Sequence, residues 1–82
     1  MVDLKEACRI ALSECPDDYI HVVNEYEDAY EIVLLKKGSS ISDYSFVIPS
    51  TVDKETGKFG RDDGWSHDGN YKQYTKEELE RL

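Results

Sequence analysis

"YIHVVNEYEDAYEIVLLKK", residues 19–37, is the stretch that decides the fold of this chain. In its first half Ile20, Val22 and Tyr26 share one face while His21 and Glu25 take the other. A period of two is the signature of a strand with one wet side. In the second half Tyr30, Ile32 and Leu34 share a face, and Glu31, Val33, Leu35 and Lys37 lie on the reverse. Glu27-Asp28 separates the two runs by only a turn, so they predict an antiparallel hairpin of strands over about 19–26 and 29–37.

Upstream, "DLKEACRIALSEC" carries apolar residues at 4, 7, 8, 11, 12 and 15, the stripe of a helix with one buried face. Asp3 is placed to cap its start. Pro16 ends it at Cys15, because proline disfavours a helical residue before it. The helix is expected over about 3–15, with Lys5, Glu6, Arg9, Ser13 and Glu14 toward solvent.

Downstream, "GSSISD" reads as a polar loop and "YSFVIP" as a third strand over 44–49, with Tyr44, Phe46 and Ile48 on one face. "TVDKETGKF" reads as a hairpin element over 51–59. Asp53 opens its turn, Gly57 supplies a left-handed residue, and Lys58-Phe59 return as a strand. Residues 60–74 have no period and many turn formers, the pattern of a loop. In "TKEELERL", Thr75 and Glu78 form a capping box for a short helix over 75–82. The expected architecture over 1–82 is one α+β domain: an N-terminal helix packed on three or four antiparallel strands, with a short C-terminal helix.

Composition narrows the function. The net charge of −8 in 82 residues opposes direct nucleic-acid binding, which needs lysine and arginine to displace counterions from phosphates. It equally opposes anionic membrane surfaces. No apolar run reaches the ~18 residues of a membrane span, and no basic-then-apolar leader is present, so cytoplasmic residence in a bacterium or phage-infected cell is expected. Cys8 and Cys15 lie two helical turns apart, about 10 Å, beyond the roughly 7 Å reach of a disulfide. Two reduced thiols are expected.

The candidate sites are few. "RDDGWSHDGN" gathers Asp62, Asp63, His67, Asp68 and Asn70, and hard cations seek such oxygen donors. The spacing does not match a calcium-binding EF-hand loop, so Asp62, Asp63 and Asp68 are weak metal candidates in a solvated loop. No metal and no cofactor are expected. Trp65 either covers one end of the sheet or anchors a partner, with Tyr71 and Tyr74 in reach. His21 and His67 are not set beside a nucleophile, and so small a domain rarely encloses a pocket for paired carboxylates, so no enzyme is expected.

The acids of the first half form the strongest functional pattern. Residues 1–50 hold ten acids against four bases, many of them around the hairpin. Glu25, Glu27, Asp28 and Glu31, with Tyr26 or Tyr30 as anchor and Trp65 as a second surface, are the candidate contacts for a basic protein partner. Two alternatives remain open. One is a phage anti-defence nucleic-acid mimic, with Glu25, Glu27 and Glu31 at roughly phosphate intervals. The other is a self-associating structural subunit using the apolar second strand, whose Val33 and Leu35 could equally give the acidic surface an apolar centre. The protein is expected to be a monomer or weak dimer.

The order of "LKEACRIAL" helix, strand hairpin, "VDKETGK" and closing "YTKEELERL" resembles small bacterial immunity-type domains of the Imm35 and YrhB sort. The "VDKETGK" hairpin is also similar to single PepSY-like modules. The resemblance implies binding of another protein, no catalysis, and no transferable site residues.

Overall fold

Asp3 opens the first helix as expected: its side chain accepts a hydrogen bond from the Glu6 amide at 2.8 Å. In the computed structural model, which describes residues 1–45, 47, 49–61 and 69–82, α1 spans Leu4–Glu14 and ends where Cys15 leaves the helical region before Pro16. Its buried face is centred on Ala7 and Ala11, two small residues that let the helix backbone lie close to the sheet. Val2, Leu4, Cys8, Ile10 and Cys15 pack around them. Leu12, expected on the stripe, is 39% exposed and lies at its margin instead.

The hairpin of residues 19–37 is the centre of the sheet. Strand β1 (Asp18–Glu25) pairs antiparallel with β2 (Ala29–Lys36). The pairing shifts between Ile20 and Val22, leaving His21 as an extra residue on β1. A bulge of this kind exchanges the two faces beyond it. Val23, not the expected Val22, therefore joins Ile20 against the helix and is fully buried. Tyr30, Ile32 and Leu34 share one face as expected, and that face packs against the helix.

The third strand differs from expectation. Among the described residues of 44–49, Tyr44, Ser45, Val47 and Pro49 are not in a strand, and a short 3₁₀ turn at Ile41–Asp43 precedes them. Phe46 and Ile48 lie outside the described residues. Pro49 has no N–H to give a ladder, so the strand begins after it. That strand, β3 (Ser50–Asp53), pairs with β2 and with β4 (Phe59–Arg61). Among the described residues of the 60–74 segment read as loop, 60–61 complete β4, and a further strand, β5 (Lys72–Thr75), starts at Lys72 and pairs with β1. Its polar sequence "KQYT" suits an edge and carries little apolar alternation to announce it. The described sheet is five-stranded and antiparallel in the order β4-β3-β2-β1-β5. The chain closes on α2 (Lys76–Leu79), whose Thr75 and Glu78 form the expected capping box. The fold is α+β, with one strand more than the upper expectation. Among the described residues, no helix is long and apolar enough to cross a membrane.

The turn between β3 and β4 follows the sequence reading closely. The Asp53 carboxylate accepts hydrogen bonds from the Glu55 and Thr56 amides at 2.8 and 3.0 Å. Gly57 takes φ +74° and donates its N–H to the Asp53 carbonyl at 2.8 Å. A Cβ there would also lie 3.3 Å from Val2 Cγ2 and 3.4 Å from Ile10 Cδ1. Backbone strain and crowding both favour glycine, so Gly57→Ala is expected to cost about 1–2 kcal/mol, read as a lowered denaturant midpoint at constant slope.

Ser50 presents the opposite case. It is fully buried opposite Ile32, and among the described residues its hydroxyl oxygen has no hydrogen-bond partner. Desolvating an unpaired hydroxyl is unfavourable, and alanine removes it with little loss of volume. Ser50→Ala is expected to stabilise the domain by about 1 kcal/mol in equilibrium denaturation.

Candidate functional site

Two turns that are distant in sequence meet at one end of the sheet. The β1–β2 tip at Glu27-Asp28 and the β3–β4 turn at 53–58 are brought together because Ala29 pairs with Asp53 in the β2–β3 ladder. The Lys54 amide donates to the Asp28 carbonyl at 3.0 Å, and the Val2 amide donates to the Lys54 carbonyl at 2.7 Å. N-terminus, hairpin tip and turn are thus tied at one residue.

The Lys54 side chain then runs inward. Its ammonium donates to Glu25 Oε2 at 2.8 Å and lies 5.0 Å from the centre of the Tyr30 ring. The Tyr74 hydroxyl donates to the other Glu25 oxygen at 2.8 Å. Glu25 is therefore held by two partners from different strands and turns. The Lys54 ammonium, with help from Tyr74, keeps its carboxyl below the ordinary value near 4.5 against the opposing effect of burial. Tyr30 is buried, donates to the Val2 carbonyl at 3.3 Å, and has its phenol pushed up to about 12, chiefly by burial.

This arrangement divides the expected contact residues. Glu25 and Tyr30 stand on the helix side of the sheet in internal contacts, so neither offers the free charge or exposed anchor expected of it. Tyr26 is 9% exposed, with its ring 5.2 Å from that of Tyr71. Glu31 is on the reverse face, accepting from Asn24 Nδ2 at 2.8 Å, while Gln73 Nε2 donates to Asn24 Oδ1 at 3.1 Å. That row spans three strands. Glu27 and Asp28 remain exposed at the tip. Trp65, His67 and the weak metal candidates Asp62, Asp63 and Asp68 lie outside the described residues. Among the described residues, no group of His, Cys, Asp and Glu is placed to hold a metal ion.

What the sequence reading missed is the contribution of the second turn. Asp53 and Glu55, assigned only to turn geometry, are exposed beside Glu27 and Asp28. Together with Met1 and Lys54 they line a cleft of about 440 Å³. The amides of Thr56 and Glu55 lower the Asp53 pKa, keeping its charge well into acid. The available signal was the pairing of the second and third strands, which aligns the two turns whenever the hairpins are consecutive.

The anchoring pair has a pH signature. The Glu25 pKa is lowered by folding, so its stabilisation is fully present above about pH 4.5 and is lost as pH falls through the lowered folded value. Glu25→Gln is expected to flatten part of the acid limb of the stability profile. Lys54→Met should destabilise more at neutral pH, because it leaves the Glu25 carboxylate half-buried without its cation. Denaturation midpoints between pH 3 and 7 for both variants check this (roughly the span over which a carboxylate titrates).

Comparison with family models, curated proteins and solved structures returned no match. What fold and surface define is a helix-on-sheet α+β domain with carboxylates concentrated on two adjoining turns.

Proposed function

We propose that the chain is a small acidic protein-binding domain that docks a basic protein through the end of the sheet carrying both turns. One observation carries this reading. Glu27, Asp28, Asp53 and Glu55 come from two separate hairpins and are exposed around one cleft. A concentrated negative surface steers a basic partner during encounter and rejects acidic ones. Lys54 supports it by fixing both turns from within, so the surface is ordered before docking and loses less entropy. An inhibitor or immunity protein acting in the cytoplasm on a basic toxin, such as a nuclease, fits this chemistry. The reading assigns no catalytic residue and no cofactor.

The geometry gives less support to the alternatives. A nucleic-acid mimic built on Glu25, Glu27 and Glu31 needs the three in one exposed row, but Glu25 pairs with Lys54 and Glu31 lies on the reverse face bonded to Asn24. Self-association through β2 needs an apolar centre at Leu35, which is already fully buried.

The test begins with the products of adjacent genes as candidate partners. Once a binder is in hand, the double reversal Glu27→Lys with Glu55→Lys is expected to slow association about tenfold at low salt, with a smaller effect on dissociation. The penalty should shrink as salt rises, since exposed charges act over a Debye length of ~8 Å at physiological ionic strength. Association rates from stopped-flow or surface binding measure this. Unchanged association at low salt would exclude the acidic end as the contact.

A further inference from the structure

We propose that the groove between α1, the start of β1 and α2 binds a single-chain anionic amphiphile, its tail along the groove and its acidic head at the rim. The groove has a volume of about 460 Å³, within the roughly 300–1,000 Å³ of small-ligand sites. Its apolar lining comes from Cys8 and Leu12 of α1, Ile20 of β1, and Leu79 and Leu82 at the end of the chain. Leu12 and Leu82 are 39% and 53% exposed, so apolar surface faces water along its length. An acyl chain laid there would remove that surface from solvent, about 25 cal/mol for each Å² covered.

The rim identifies the head group. Acids exceed bases by 18 to 10 in the whole chain. Around this groove the balance is reversed: Lys5, Arg9 and Lys76 line it with Glu80 as the one acid. Arg9 is paired with Glu6 on the solvent side of the helix, which leaves Lys5 and Lys76 as the principal cations. The Lys76 ammonium sits 5.1 Å from the centre of the Tyr19 ring, which holds it at the groove. A carboxylate, sulfate or phosphate head complements this rim.

The same observations argue against larger occupants. One wall is α2, a helix of four residues. It offers no long stripe for a partner helix, and stable protein interfaces need about 800 Å² per partner. A second copy docking symmetrically would bring two copies of the same lysine- and arginine-bearing rim together, like charge near like. The groove is also separate from the acidic end. Tyr19 stands near one end of β1 and Glu25, which leads into the acidic tip, at the other, about 20 Å apart at the rise of an extended strand.

Cys8 provides the readout, because its half-buried thiol lines the groove while Cys15 does not. The probe is dodecanoate, below its micelle concentration, added to the full chain. Alkylation of each thiol by iodoacetamide is followed by peptide mass spectrometry. Dodecanoate is expected to slow Cys8 labelling severalfold and leave Cys15 unchanged. The double variant Lys5→Glu with Lys76→Glu should raise the concentration needed by about tenfold, a change of about 1.4 kcal/mol. Leu12→Glu, at an exposed position, should raise it comparably without disturbing the core. Glu27→Lys should have no effect. A neutral dodecyl glycoside should protect at least as much more weakly as the double lysine variant does.

Three outcomes would overturn the proposal. The first is no protection of Cys8 by dodecanoate. The second is equal protection by dodecyltrimethylammonium, which would make the rim charges irrelevant. The third is concentration-dependent protection without amphiphile, matched by dimer in sedimentation, which would make a second copy the occupant.

Discussion

The ion pair of Lys54 with Glu25 is the constraint on which one end of this domain depends. Glu25 projects toward the helix side of the sheet, where a carboxylate without a partner would be costly. Lys54 answers it from a turn that would otherwise belong only to the β3–β4 hairpin. To reach inward, the lysine backbone must stand beside the β1–β2 tip, and its amide and carbonyl meet Asp28 and Val2. One residue, through its backbone and its side chain together, therefore fixes the relative position of three segments. The acidic surface outside is a consequence of what is held inside.

Charge in this protein is consequently sorted by place as well as by sign. The helix side of the sheet holds a neutralised carboxylate and two tyrosine hydroxyls among apolar residues. The turn end carries Glu27, Asp28, Asp53 and Glu55, while the opposite end of β1 meets a rim with Lys5 and Lys76. Such a distribution gives the molecule an electrostatic axis that its net charge of −8 does not describe. A partner approaching from a distance meets the net charge, and one at contact meets the local sign.

Much of the fold was legible because its signals are local. The cap at Asp3, the stop at Pro16, the left-handed Gly57 and the box of Thr75 with Glu78 each need only neighbours in sequence. The strand pattern of Tyr30, Ile32 and Leu34 was legible because one face is buried against α1. The rest depended on distant pairing. The extra residue at His21 breaks the alternation of β1, and nothing adjacent to it shows that Val23 will replace Val22 in the core. Strand β5 has no apolar period because an edge needs none. The acidic end was half legible: Glu27 and Asp28 follow from the hairpin, but Asp53 and Glu55 join them only through the β2–β3 register. Glu25 looked like a surface residue because the lysine that draws it inward lies more than twenty positions away.

The placement of β5 bears on how the domain is made. Residues 72–75 pair with Val22–Glu25 of β1, partners that lie 47 to 53 positions apart in sequence. Until they emerge from the ribosome, β1 is an unpaired edge, and Glu25 lacks the Tyr74 hydroxyl it accepts from in the finished fold. The α1 helix and the two hairpins are assembled from nearer neighbours and can form first. Completion of the sheet waits for this later segment, a short polar strand that covers the edge a growing polypeptide would otherwise present to its neighbours.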